Sequence, residues 1–253
     1  MVCQEDKMKI ALCFSGFART FKHTYPYLKK YILDHLNPDV FFYGYTDIDN
    51  GISEEDIVNL YKPKKFYFKE YDEDAKNKIW DAYGTRQIGE IRMLSSMQPI
   101  NILSQYYNLF NSNQLKKQYE EENNFKYDIV IRARTDCYFY RYFSEEELKV
   151  EKNCVYIPDI WDFGHVSSGF AYGDSESMDV YSDLFNKIRQ YNLEEHFPFG
   201  PEPMKAYHIN RQNLKRKIVQ NHYWWDLADF KINGFSDRYI DNLTQNPSRR
   251  IYR

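Results

Sequence analysis

The sequence predicts an α/β fold, a mainly parallel sheet flanked by helices on both faces. Three observations carry that prediction. Short, nearly continuous apolar runs at residues 9–15, 39–45 and 127–132 read as strands buried on both sides. Stretches of helical periodicity separate them, so that strands and helices alternate along the chain. Finally, the 253 residues include 24 Tyr, 18 Phe and 4 Trp against only 10 Gly and 9 Pro, which excludes a disordered chain.

The elements follow in order. The first run ends at Ser15-Gly16, a turn. Pro26 suits the first turn of a helix with Thr24 as its cap, and Leu28, Tyr31, Ile32 and His35 continue at helical spacing. Asn37-Pro38 stops that helix, and the second strand then runs to Thr46-Asp47. Ser53 with Asp56 forms a capping box opening a short helix to about Tyr61, and residues 65–69 make a third strand. Residues 72–97 read as mixed helix and loop. Ile102, Leu103, Tyr106, Leu109 and Phe110 predict a long helix from Asn101 to about Glu122, ended by Asn123-Asn124. The fourth strand follows, with Arg132 to Asp136 at its carboxyl end. Ser144 and Glu147 repeat the capping-box pattern; strands are expected at 154–157 and 169–173. A helix from Asp174 to about Gln190, another over about 202–211, and short strands near Ile218 and Phe230 complete the reading.

Several function classes are argued against at this level. Lys and Arg total 34 against 37 Asp and Glu, a net charge of −3, which does not suit a dedicated nucleic-acid binder. The cysteines Cys3, Cys13, Cys137 and Cys154 are spread out without a C-x-x-C, so neither a zinc ribbon nor a disulfide scaffold is expected. The opening residues lack an apolar signal core, and no apolar run approaches the roughly 20 residues of a membrane span. The expectation is a soluble, cytoplasmic protein. The dinucleotide G-x-G-x-x-G, the phosphate-loop G-x-x-x-x-G-K-[ST], H-E-x-x-H and G-x-S-x-G are all missing. In an open α/β sheet a ligand sits at the carboxyl ends of the parallel strands. Three polar clusters are expected there: Ser15 to Arg19, Thr46-Asp47, and Arg132 to Asp136.

Those clusters carry a resemblance. Cys13-Phe14-Ser15-Gly16-Phe17-Ala18-Arg19 resembles the first-strand motif of small nucleotide-sugar glycosyltransferases, found in bacterial surface-polysaccharide clusters and in large DNA viruses. Asn37-Pro38-Asp39-Val40-Phe41 is similar to the entry to their second strand. Arg132-Ala133-Arg134-Thr135-Asp136 is similar to their R-x-R-x-D strand end, and Phe170-Ala171-Tyr172-Gly173 and Pro201-Glu202 to two later signatures. The likeness spans roughly residues 8 to 235. It implies a GT-A-like (Rossmann-like) fold in one domain, with a nucleotide-binding half at about 8–140, an acceptor-side half at about 141–235 and a tail at 236–253. The implied activity moves a sugar from a nucleotide-sugar donor to a hydroxyl of a glycan or glycolipid. A non-catalytic nucleotide- or glycan-binding descendant is the alternative, with a sugar nucleotidyltransferase behind it, because Ser15 to Arg19 is poor in glycine for the latter.

What the resemblance implies for individual residues has a plainer counterpart in each case. A departing nucleotide diphosphate must be neutralised by a divalent cation or by arginines. The D-x-D that usually holds Mn²⁺ or Mg²⁺ is replaced here by Arg134-Thr135-Asp136, leaving Asp136 as metal or ribose ligand, or as a strand-end cap. Arg132 and Arg134 share a strand face and either neutralise the diphosphate or anchor Asp136. Ser15, Gly16 and Arg19 are expected at the donor, Arg19 alternatively in a surface ion pair. Thr46 and Asp47 are expected at base or ribose, Asp47 alternatively as a loop cap. An inverting transferase also needs a base for the acceptor hydroxyl. Ser167-Ser168 replaces the expected Asp, so Asp162 and Glu202 are the candidates, Glu202 alternatively a first-turn helix carboxylate. His165 and His222 are either extra metal ligands or structural. Tyr223-Trp224-Trp225 either stacks on an acceptor sugar or belongs to the core. The basic runs Lys215-Arg216-Lys217 and Arg249-Arg250 with Arg253 are either peripheral membrane contacts or simply solvated.

Overall fold

The computed structural model describes residues 8–18, 21–46, 52–86, 97–158, 166–167, 169–220 and, for the backbone alone, 223–225. The apolar runs do form strands: β1 (Ile10–Phe17), β2 (Asp39–Thr46), β3 (Lys65–Glu70), β4 (Ile129–Ala133), β6 (Cys154–Pro158) and β7 (Phe170–Gly173), with β8 (Lys215–Val219) behind them. One seven-stranded sheet runs β3-β2-β1-β4-β7-β6-β8. β2 and β4 flank β1 in parallel register and β3 lies parallel to β2. β7 is reversed against both β4 and β6, while β8 pairs parallel with β6. The sheet is therefore mainly parallel, with strands from both halves of the chain. Two strands escape the apolar-run criterion through brevity: β5 (Cys137–Phe139) pairs antiparallel with β9 (Tyr223–Trp225), which places the aromatic triplet on a small second sheet.

Alternation along each strand sorts the core onto two sheet faces. On one face Ala11, Cys13, Phe41, Tyr43 and Val130 pack beneath α4 (Glu73–Tyr83), α5 (Pro99–Asn123), α6 (Ser175–Ser182), α7 (Leu184–Arg189) and α8 (Pro201–Arg211). On the other, Leu12, Phe14, Phe42 and Ile131 pack against α1 (Phe21–Leu28), α2 (Asp34–Leu36) and α3 (Glu54–Tyr61). The described cysteines Cys13, Cys137 and Cys154 are free and buried, and no described helix is long and apolar enough to cross a membrane.

Helix ends obey the cap chemistry in most places. Ser53 and Asp56 make the reciprocal capping box of α3, Asp72 caps α4 and Asp174 caps α6. Asn124 ends α5 in the left-handed conformation. Three expectations are corrected. α1 begins at Phe21, so Pro26 lies inside the helix and Thr24 is not its cap; the Thr24 hydroxyl instead reaches the Thr135 carbonyl across the fold at 2.5 Å. The predicted 174–190 helix is broken at Asp183 and continues as a π-helical turn over Gln190–Glu194. The Ser144–Glu147 box forms its bonds but closes a single turn, not a helix. The strand expected near Phe230 lies outside the described residues.

Candidate functional site

Because β1, β2 and β4 are parallel, their carboxyl ends at Phe17, Thr46 and Ala133 share one edge of the sheet. β7 begins at that edge, and the Arg134 N–H donates to the Gly169 carbonyl at 3.2 Å as the chain leaves β4. Thr135 Oγ1 donates to the Phe17 carbonyl at 2.9 Å. With the Thr24 bond, this fastens the turn after β4 to the end of β1 and to α1. Two glycines stand opposite each other at the strand ends, each for a different reason. Gly16 has φ +113°, a conformation L side chains avoid, and an added Cβ on it would meet nothing within 4 Å. A Cβ on Gly44 would stand 2.2 Å from the Gly16 carbonyl oxygen. Gly44 is the close-approach glycine that the motif left unmarked.

Alternation with Val130 puts Arg132 on the face beneath α5 and α6. It is among the largest fully buried side chains, and its Nη2 donates to Ser15 Oγ at 3.3 Å. Its charge acts on the buried phenols of Tyr106 and Tyr181; burial pushes the Tyr181 hydroxyl up to about 12 against the pull of Arg132. Arg134 holds Asp136 in a bidentate pair, Nε to Oδ1 at 2.7 Å and Nη2 to Oδ2. Arg134 thus anchors the Asp136 carboxylate.

The first turn of α8 completes the cluster. Pro201 opens the helix behind Gly200, which supplies no side-chain cap, and the Tyr106 hydroxyl donates to the Pro201 carbonyl. Glu202 follows, its charge acting on Tyr106 and on Lys205. Lys205 is fully buried; burial and then the charge of Arg132 hold its amine well below the ordinary lysine range, Glu202 opposes this and Arg134 adds to it. Nothing in the sequence marks Lys205, since a lysine amid helical periodicity reads as a solvated position.

The structure therefore gathers Ser15, Gly16, Arg132, Arg134, Asp136 and Glu202 at one sheet edge, with Thr46 at the same edge on β2. Ser167, where the resemblance expects a carboxylate, is buried and accepts from the Gly169 N–H at 3.2 Å. Arg19, Asp47, Asp162, His165 and His222 lie outside the described residues. The implied divalent cation finds a poor donor set among the described residues. Both Asp136 oxygens already accept from Arg134, the neighbouring groups include the guanidinia of Arg132 and Arg134, and among the described residues no three His, Cys, Asp or Glu side chains come together to hold a metal. The described groups suit an anion better.

Residues 5–195 match a family described as Domain of unknown function (DUF7796). No curated protein matches the sequence. Among solved structures, the chain is similar to the apo form of mouse xyloside xylosyltransferase 1, at 11% identity over 84% of each chain with a TM-score of 0.45.

Proposed function

The chain belongs to the DUF7796 family, and we propose that this member is a glycosyltransferase moving a sugar from a nucleotide-sugar donor to a hydroxyl of a glycan or glycolipid. One observation carries the reading: the two motifs of the resemblance, Ser15-Gly16 and Arg132 to Asp136, meet through the Arg132–Ser15 and Thr135–Phe17 bonds at the edge where α/β sheets bind ligands.

In this reading the donor lies across the carboxyl ends of β1, β2 and β4, with Thr46 toward the nucleoside. Arg132 and Arg134 face its diphosphate, the latter aimed by Asp136. Glu202 takes the proton of the acceptor hydroxyl, whose oxygen bonds the anomeric carbon as the bond from that carbon to the phosphate oxygen breaks. The leaving electron pair departs on the diphosphate, where fixed cations stabilise it without reorganising.

The test is a thermal-shift panel of UDP, GDP, CMP and dTDP sugars on the wild type, Asp136→Ala and Glu202→Gln, followed by a transfer and donor-hydrolysis assay. A donor at 100 times its dissociation constant stabilises the fold by about 2.7 kcal/mol. One nucleotide class is expected to shift the wild type. Asp136→Ala loses the shift, while Glu202→Gln keeps it and loses turnover. No shift with any donor sinks the transferase reading; a shift with neither transfer nor hydrolysis replaces it with a non-catalytic binder.

A further inference from the structure

Among the described residues two lysines are fully buried, and they are unlike each other. Lys116 on α5 is saturated: its amine donates to Glu120 at 3.1 Å, Ser175 at 2.6 Å and Asp179 at 2.7 Å. Lys205 on α8 has a buried amine with no hydrogen-bond partner. It lies 5.3 Å from the Tyr106 ring centroid and 5.0 Å from that of Tyr181, rings that attract a cation but donate no lone pair. The charges around it are the guanidinia of Arg132 and Arg134 and the carboxylate of Glu202. Both oxygens of Asp136 are engaged by Arg134, so that carboxylate is not the acceptor of the Lys205 amine. A buried amine without a partner is an unfavourable arrangement unless something else supplies the acceptor.

We propose that the missing acceptor is the diphosphate of the donor, and that Lys205, with Arg132 and Arg134, does at this site the work of a divalent cation. The inference rests on the transferase reading above and deepens it. The ligand's phosphate oxygens satisfy the Lys205 amine on α8, beside the guanidinia of Arg132 and Arg134. As the bond from the anomeric carbon to the phosphate oxygen breaks, the electron pair left on that oxygen is met by Lys205 and Arg132, while the acceptor's proton goes to Glu202. Binding and transfer then proceed in the presence of a chelator.

The experiment titrates UDP, GDP and dTDP, and the corresponding nucleosides, into wild type, Lys205→Met and Lys205→Arg by calorimetry, with Mn²⁺ and with EDTA. Melting temperatures are recorded without ligand. The wild type is expected to bind one diphosphate with the same affinity, within about twofold, in Mn²⁺ and in EDTA. Lys205→Met is expected to melt at or above the wild-type temperature, since it removes a buried unsatisfied amine. It should bind the diphosphate about tenfold to a hundredfold more weakly, the range for one charge-assisted hydrogen bond, with nucleoside affinity unchanged. Lys205→Arg should fall between the two. Unchanged diphosphate affinity in Lys205→Met overturns the proposal and leaves the transferase reading standing, as does wild-type binding that EDTA abolishes. Melting of Lys205→Met well below the wild type marks the amine as a structural prop and also overturns it. A wild type that binds none of the three nucleotides overturns the proposal and, where the CMP sugar gives no thermal shift either, removes the transferase reading itself.

Discussion

Gly44 shows how much a single position can decide at this edge. Its neighbour across the β1–β2 ladder is Gly16, and the pair lets two strand backbones close at the point where both leave the sheet. A methyl group at Gly44 meets the Gly16 carbonyl oxygen at 2.2 Å, backbone against side chain, so neither can rotate away. Gly44→Ala should therefore destabilise the fold by about 2 kcal/mol or more, the scale of overpacking, read as a shifted urea midpoint. A midpoint within experimental error of the wild type would show that the strand ends can part freely. Residue-scale legibility was uneven for a physical reason. Arg132, Arg134 and Asp136 stood out because charges are rare at the end of an apolar strand. Gly44 and Lys205 did not, because a glycine in a strand and a lysine in a helix look ordinary until the chain that packs against them is known.

The elements themselves differ in what holds them, and pH separates two of the devices. On α8, His208 Nε2–H donates to the Val180 carbonyl at 2.7 Å and Nδ1 accepts from the Tyr191 hydroxyl at 3.1 Å. Burial lowers its pKa from the ordinary 6.5 in spite of the Val180 bond. The neutral ring is the folded form, so the unfolded chain binds the proton more readily and stability falls as pH drops below about 6.5. On α5, burial raises the Glu120 carboxyl, but Ser175, the Tyr127 N–H, Lys126 and Lys116 together outweigh it and leave the pKa below 4.5. Its contribution is complete above 4.5 and is lost as pH falls further, through the depressed value. Melting temperature against pH should show an upper limb that His208→Gln flattens and a lower limb that Glu120→Gln flattens. A wild-type curve level from pH 7 to 5 would refute the first assignment. Element by element, the strands were legible because burial on both faces writes a continuous apolar run. The early start of α1 was not, because Pro26 is tolerated inside it, and neither was the break at Asp183, which no Gly or Pro marks.

At the scale of the whole molecule, the candidate site belongs to the middle of the sheet and not to either half of the chain. β1 lies near the start of the chain and β4 at its middle, while β7 and α8 come from further on, and the reversed β7 brings Gly169 back to the edge where β4 ends. That closure was only partly legible. Alternating strands and helices announced a mainly parallel sheet, but the direction of β7 and its place beside β4 depend on a contact between distant segments. It also makes the response to a ligand local in space and dispersed in sequence. A bound nucleotide should slow amide exchange at Phe17–Ala18, at Arg134–Cys137 and across the first turn of α8 together. The outer strands β3 and β8, at opposite ends of the sheet, should exchange as before. Binding raises the free energy of every opening that releases the ligand, so those segments should slow by a common factor set by ligand concentration over the dissociation constant. Protection confined to β1 and β4, with α8 untouched, would mean that the donor never reaches Glu202 or Lys205. The base and the third phosphate-binding group would then have to be sought elsewhere on the chain.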